Sequence, residues 1–276
     1  MSLLALPPSV QPTLSERHVL GMAEMGYRGL SEQWLLRRAG DLHWRLIARA
    51  MGQKKAVFTC AAGQPLYAAF CATSVYFVRP DLPQLGGELT LTAGLYRIGQ
   101  GRLASLQRIG VDGQDVGRVV LISAFVGRSE PGSNRSIVRR MPKVLAIPPE
   151  APFPVQRIAR HAAFLARHAQ DEKFDLRGAG ELKKILPCPS IDFNAAGLLY
   201  FPSFSALADR SLFEAGDTPA RMMTSRHVVY LGNVEPGDGI KISFNKLAGG
   251  RDAVLRSDND RLLALMRVRF QKCEIY

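Results

Sequence analysis

The alternation of apolar and polar positions predicts one long helix followed by a sheet in the first half of the chain. Between Ser31 and Met51, apolar side chains recur at steps of three and four, the spacing of one buried helix face. This stripe consists of Leu35, Ala39, Leu42, Leu46 and Ala50, and Ser31 is the predicted N-cap. Residues rich in β-branched and aromatic side chains then occupy 56–62, 66–78, 87–98 and 103–128. With a hairpin signal at Asp112–Gly113, the pattern predicts an antiparallel sheet with a helix on one face, the α+β class.

A proline-rich segment separates this half from a second one. Five prolines within 141–156 predict a stiff, extended connector. The predicted parts are an N-terminal domain 1–141, a linker 142–156 and a C-terminal domain 157–276. The second half is predicted to hold helices at about 155–170 and 197–213 and strands at 226–233, 239–247, 252–256 and 262–271. Residues 1–17 are expected to be irregular.

The two halves share a spacing of turn and cap residues. Gly29–Leu30 begins the first long helix and Asp41 follows 12 residues after Gly29. Gly197–Leu198 begins the second and Asp209 follows 12 residues after Gly197. The same order in both halves indicates a duplicated helix-plus-sheet unit.

Composition narrows the class of protein. The 276 residues include 36 Lys and Arg against 24 Asp and Glu, a net charge of +12, which favours acidic partners such as phosphorylated cofactors or an acidic protein. Four cysteines lack CxxC or zinc spacing, so we expect reduced thiols and no metal. No apolar run reaches the roughly 18 residues of a spanning helix, and the first ten residues do not form a signal peptide. We therefore expect a soluble cytoplasmic protein that binds no membrane.

The segment IDFNAAGLLYFPSFSALADR, residues 191–210, resembles the hot-dog thioesterases of the 4-hydroxybenzoyl-CoA type. Their pattern before the central helix is matched here by Asp192, Asn194, Gly197, Leu198, Phe201 and Pro202. Two such units imply a double hot-dog fold in which the halves form an internal pseudo-dimer. The family's catalytic carboxylate is replaced by Asn194, whose amide can orient a carbonyl but cannot act as a nucleophile or base. Asp192 could substitute, and the ordinary alternative for both residues is turn formation and helix capping.

Longer stretches resemble a narrower group, the leinamycin-type bifunctional acyltransferase/decarboxylases of polyketide pathways. The stretches that carry this resemblance are GLSEQWLLRRAGDLHW at 29–44, GQPLYAAFCATSVYF at 63–77 and SRHVVYLGNVEPGD at 225–238. The resemblance implies that a malonyl or methylmalonyl group passes from CoA to a tyrosine, loses CO₂ and is transferred to an acyl carrier protein. The local match places that tyrosine at Tyr67, and no cofactor is needed beyond the CoA thioester. A phenol is a weak nucleophile near neutral pH and needs nearby donors or positive charge. The ordinary alternative is that Tyr67 is a strand residue whose aromatic ring packs on the helix.

Decarboxylation also requires donors for an enolate oxygen, which a helix N-terminus can supply. The candidates are Gly29, Leu30 and Ser31 at the first helix and Asn194 to Gly197 at the second. His43 could contact substrate, although a capped or half-buried histidine is the ordinary alternative. A loop with Arg128, Arg135, Arg139 and Arg140 suits CoA phosphates or an acidic carrier protein, and could also be a solvated basic loop.

Several functions stay open at this point. The first is the acyltransferase/decarboxylase, and the second is a thioesterase or dehydratase acting on acyl-CoA or an acyl carrier protein. The third is a non-catalytic protein that binds acyl carriers. Nucleic-acid binding is disfavoured, because the basic residues are dispersed and no recognition motif is present. A homodimer of the internal pseudo-dimer is possible.

Overall fold

The structure is a computed structural model that describes residues 2–5, 12–169, 183–216 and 221–272. Its helices are α1 (Glu32–Ala50), α2 (Phe153–His168), α3 (Pro189–Asp192) and α4 (Phe201–Glu214). The strands of the first half are β1 (Ser2–Ala5), β2 (Thr13–Val19), β3 (Met25–Gly26), β4 (Gly29–Leu30), β5 (Phe58–Thr59), β6 (Pro65–Phe77), β7 (Glu88–Ile98), β8 (Arg102–Val111), β9 (Gln114–Arg128) and β10 (Ile137–Arg139). Those that follow are β11 (Val144–Ile147), β12 (Lys183–Ile185), β13 (Arg221–Tyr230), β14 (Ile240–Leu247), β15 (Gly250–Ser257) and β16 (Leu262–Lys272).

The first long helix and the predicted hairpin turn are confirmed. The hydroxyl of Ser31 accepts a hydrogen bond from the Trp34 backbone N–H, which caps α1 at the predicted residue. Asp112 and Gly113 have φ angles of 49° and 77°, the left-handed conformations of a tight hairpin between β8 and β9.

Two boundaries differ from the prediction. The second long helix begins at Phe201, because Gly197 has a φ of 69° and turns the chain before the helix starts. The expectation that 1–17 is irregular is wrong. Thr13–Val19 is an edge strand that pairs antiparallel with β7. Its side chains alternate between exposed and partly buried, although most of them are polar.

Ten strands form one continuous path in the order β12-β14-β15-β16-β13-β6-β9-β8-β7-β2. This order reads the same from both ends when each strand is exchanged for its counterpart in the other half. The halves meet at the antiparallel pair of β13 and β6, where Val228 lies opposite Thr73. Each half therefore contributes half of one sheet and one long helix.

Apolar cores lie on both faces of this sheet. On one face, α1 packs on the first half and α4 on the second, around Leu42 and Phe204 respectively. On the other face, α2 covers the junction of the halves, where its Val155 and Ala159 belong to the same core as Ala72 and Val229. The predicted amphipathic helix is thus confirmed. Within the described ranges, no helix is long and apolar enough to cross a membrane.

Candidate functional site

A cavity of about 720 Å³ lies between the N-terminal end of α4, the first part of β6 and the end of β9. Its interior is aromatic, with Trp44, Phe58, Phe70, Phe201 and Phe204 in the wall. Its polar lining includes Tyr67, Asn134, Arg135, Arg139, Asn194, Tyr230, Asn233 and Arg261. The volume and the few polar groups in an apolar wall are typical of a small-molecule site. The cavity brings together Tyr67 and Asn194, which are 127 residues apart in the chain.

Arg128 lies over the ring of Tyr67. Tyr67 on β6 pairs with Val126 on β9, and Arg128 follows two residues later on the same face of β9. The guanidinium carbon of Arg128 is 5.7 Å from the centre of the Tyr67 ring. The Arg128 side chain is fixed there, because Nη2 donates to Asn134 Oδ1 at 2.6 Å and to the Ala196 carbonyl at 2.5 Å. A fixed cation thus lies next to Tyr67, the phenol that the sequence resemblance implies to be the nucleophile.

Asn134 holds this arrangement together and was missed by the sequence analysis. It is 2% exposed, its Oδ1 accepts from Arg128, and its Nδ2 donates to the carbonyls of Gly197 at 2.6 Å and Val234 at 2.8 Å. The Glu235 carboxylate accepts from the Asn134 backbone N–H. The arginine loop is therefore tied to the second half of the chain. An asparagine among surface-type residues gave no signal of burial in the sequence.

The side-chain oxygen of Asn194 is used within its own turn, which leaves the amide nitrogen as the group that can bond to a ligand. Its Oδ1 accepts hydrogen bonds from the backbone N–H groups of Ala196 at 3.0 Å and Leu198 at 3.2 Å. Among the described residues, no partner bonds to the Asn194 Nδ2 atom. Asn194 lines the cavity, so this nitrogen can donate to a carbonyl oxygen of a bound ligand.

Asp192 lies outside the cavity lining. Its side chain is buried and its Oδ2 accepts from the Cys188 backbone N–H at 2.8 Å, which caps the short helix α3. Its backbone carbonyl accepts from Tyr200. This geometry corresponds to the capping alternative considered for Asp192.

His43 is also separated from the cavity lining. The ring is fully buried between Ser105, 2.9 Å from Nδ1, and Ser123, 2.8 Å from Nε2. Burial lowers the pKa of His43 to about 3, so the ring is neutral at physiological pH. Its position corresponds to the buried alternative.

Gly29, Leu30 and Ser31 lie at the N-terminus of α1, where the pseudo-symmetry would place a second site. That position holds an ion cluster in which the Arg226 side chain is buried and the Asp209 side chain is about half exposed. Arg226 Nε is 3.4 Å from the Glu32 carboxylate, and its Nη2 is 2.9 Å from Asp209. Burial raises the pKa of Glu32 to about 7, against the opposing effect of Arg226. No local sequence pattern indicates this cluster, because its three members come from three separate elements.

The four arginines of the predicted phosphate loop have different surroundings. Arg128 is half-buried and bonds to Asn134 and Ala196, Arg135 forms two hydrogen bonds with Asp238 at 2.9 and 3.0 Å, and Arg140 bonds to Gln64. Arg139 is exposed at the cavity lining. The structure thus brings Arg135 and Arg139 to the cavity lining, whereas Arg128 and Arg140 lie outside it.

The cavity offers few groups for acid-base chemistry. Among the described residues that line it there is no Asp, Glu or His. Burial raises the pKa of the Cys71 thiol in the same wall, which lowers its thiolate fraction. No group of three or more potential metal ligands occurs in the described part of the chain, and Cys273 lies outside it.

Neither a protein-family model nor a curated protein sequence matches the chain. Solved structures do resemble it. The 12:0-ACP thioesterase from Umbellularia californica is 12% identical, with a TM-score of 0.65 over 94% of this chain and 97% of that one. An acyl-ACP thioesterase from Bacteroides thetaiotaomicron is 10% identical, with a TM-score of 0.62 over 94% and 98%. At such identities the likeness shows the fold, and the chain has the hot-dog fold.

Proposed function

We propose that the protein is a double hot-dog enzyme that acts on acyl thioesters, with the acyl group bound in the cavity. The single observation that supports this most strongly is that Tyr67 and Asn194 line one aromatic cavity, with Arg128 over the Tyr67 ring. The palindromic strand order and the two long helices support an internal pseudo-dimer. An ion cluster lies at the N-terminus of α1, and we therefore assign the substrate to the cavity at the N-terminal end of α4.

The chemistry that this site favours is acyl transfer through Tyr67. The Tyr67 phenol oxygen forms a bond to the thioester carbonyl carbon, the carbon–sulfur bond breaks, and the phenolic proton ends on the departing CoA thiol. Asn194 Nδ2 donates to the carbonyl oxygen as charge develops there. The aryl ester is a good acyl donor, so a carrier-protein thiol can take the acyl group and return the proton to Tyr67.

Malonyl or methylmalonyl groups are the acyl groups that the sequence resemblance implies. An apolar wall disfavours a bound carboxylate and therefore favours its loss as CO₂. The enolate that remains takes up a proton, and Asn194 can stabilise the enolate oxygen before it does.

The entrance suits the phosphates of CoA or an acidic carrier protein. Arg135, Arg139 and Arg261 line the cavity, and all three are exposed. Arginine forks bind phosphate oxygens in pairs.

Thioester hydrolysis is the second candidate, and the likeness to acyl-ACP thioesterases favours it. Hydrolysis requires a group that activates water, usually a carboxylate or a histidine. The described lining contains neither, so hydrolysis here would proceed through an acyl-tyrosine that water then attacks. A dehydratase would need the same kinds of group and has less support.

Intact-mass analysis distinguishes these candidates. The protein is mixed with malonyl-CoA or methylmalonyl-CoA, with and without a carrier protein, and compared with Tyr67→Phe. Tyr76→Phe is a matched control, because Arg118 lies 4.9 Å from the Tyr76 ring in the same kind of contact on an exposed part of the sheet.

Acyl transfer predicts an adduct in wild type and Tyr76→Phe and none in Tyr67→Phe. Free acid released equally by wild type and Tyr67→Phe would contradict the tyrosine mechanism and support hydrolysis at another group. Binding without an adduct or free acid would support a non-catalytic acyl-binding protein.

A further inference from the structure

Gly40 lies in the middle of α1, where glycine is unfavourable in a helix relative to alanine. The close approach of Phe201 explains it. A Cβ atom at Gly40 would lie 2.9 Å from Phe201 Cε1 and 3.0 Å from its Cζ. Such distances are far below van der Waals contact, so any side chain at position 40 would displace the Phe201 ring.

The surroundings of Phe201 determine where its ring could move. Phe201 is the first residue of α4 and lines the cavity. Its ring centre is 4.4 Å from that of Phe70 and 5.1 Å from that of Tyr200, and both pairs meet edge to face. Tyr230 packs on it at 6.4 Å. With α1 behind the ring and aromatic neighbours beside it, the cavity is the open side.

We infer that Gly40 determines the size of acyl group that the enzyme accepts, because it lets the Phe201 ring withdraw from the cavity into the surface of α1. Gly40 does not touch the substrate; it acts through Phe201 as a positioning residue. The inference rests on the proposed function, in which the acyl group occupies this cavity.

The test uses thioether analogues of butanoyl-CoA and dodecanoyl-CoA, which bind but cannot react. Their dissociation constants are measured by titration calorimetry for wild type, Gly40→Ala and Gly101→Ala. Gly101→Ala adds the same methyl group at a position with nothing within 4 Å. Thermal unfolding checks that each variant is folded.

We expect Gly40→Ala to weaken the dodecanoyl analogue at least tenfold and the butanoyl analogue less than twofold, with Gly101→Ala unchanged for both. Equal weakening of both analogues, or no change in either, would overturn the inference. A wild-type protein that binds neither analogue would instead contradict the proposed function, and the inference with it.

Phe201→Leu provides a test that does not depend on the folding of Gly40→Ala. Leucine lacks the ring atoms that Gly40 accommodates and leaves more room in the cavity. We expect Phe201→Leu to tighten the dodecanoyl analogue relative to the butanoyl analogue. The double variant Gly40→Ala/Phe201→Leu should recover most of the affinity for dodecanoyl that Gly40→Ala loses. An unchanged ratio of the two affinities in Phe201→Leu would contradict the role of this contact.

Discussion

The guanidinium carbon of Arg128 lies 5.7 Å from the centre of the Tyr67 ring, and two oxygens hold it there. These oxygens belong to the Asn134 side chain and the Ala196 backbone. Positive charge in a fixed position stabilises a phenolate without reorganisation at the moment of reaction. In the proposed acyl transfer, the pair would place this charge beside the Tyr67 phenolate.

Arg128→Gln should slow the acylation of Tyr67 by about tenfold to a hundredfold, because the cation is lost while a hydrogen-bonding side chain remains. Arg128→Lys should keep part of the rate, since it keeps the charge without the planar fork. Time-resolved intact-mass measurements of the acyl adduct provide the rate. A rate in Arg128→Gln equal to that of wild type would remove Arg128 from the mechanism.

Asn134→Ala should lower the free energy of unfolding by about 2–3 kcal/mol. The substitution removes the donor to the carbonyls of Gly197 and the buried Val234, and it releases Arg128. Urea denaturation measures the change. Ser129→Ala, in the exposed part of the same loop, is the control and should change stability by about 0.5 kcal/mol or less. Equal losses in the two variants would contradict the role assigned to Asn134.

Arg139→Ala should raise KM for a CoA thioester several-fold and leave kcat nearly unchanged, because the exposed arginine would contact phosphate far from the reacting carbonyl. The effect should shrink as salt concentration rises, as expected for an exposed charge. Arg108→Ala removes an exposed arginine of β8 and should leave KM as in wild type. A similar change in both variants would point to net charge rather than a local contact.

Glu32→Gln should alter how stability depends on pH. The pKa of Glu32 is about 7 in the folded protein and near 4.5 when unfolded, so the folded state binds the extra proton between these values. The free energy of unfolding contributed by Glu32 therefore falls as pH rises from 4.5 to 7, by about 3 kcal/mol in total. Denaturant titrations should show that the stability of Glu32→Gln rises relative to that of wild type between pH 5 and pH 8. Parallel pH profiles in the two proteins would contradict it.

His43→Gln should change the same profile in the opposite direction. The pKa of His43 is about 3 in the fold against 6.5 unfolded, so its contribution is complete above pH 6.5 and is lost as pH falls. Between pH 6.5 and pH 5 the loss is about 2 kcal/mol. Glu32 changes stability by a similar amount in the opposite sense over this range, so wild type should show little slope from the two groups together. His43→Gln should gain stability on acidification, and a flat profile in that variant would contradict the assignment.

The helix α1 and the hairpin after β8 could be predicted from neighbouring residues in the sequence. The apolar stripe from Leu35 to Ala50 and the Ser31 cap defined α1, and Asp112–Gly113 defined a hairpin, because helix faces, caps and tight turns depend on neighbours in the chain. It also nominated Tyr67 and Asn194, which the cavity brings together. It missed the edge strand Thr13–Val19, whose polar residues pair by backbone hydrogen bonds that leave little compositional signal.

Which of the candidate residues lie close together depends on the tertiary structure. The pairing of β6 with β9 aligns Tyr67 with Arg128, and the burial of Asn134 fixes that arginine, because contacts between distant segments depend on strand register and packing. Histidine is a common catalytic residue, yet His43 is buried in the core and hydrogen-bonded to two serines. The burial of a polar side chain depends on what packs around it, and no local pattern contains that information.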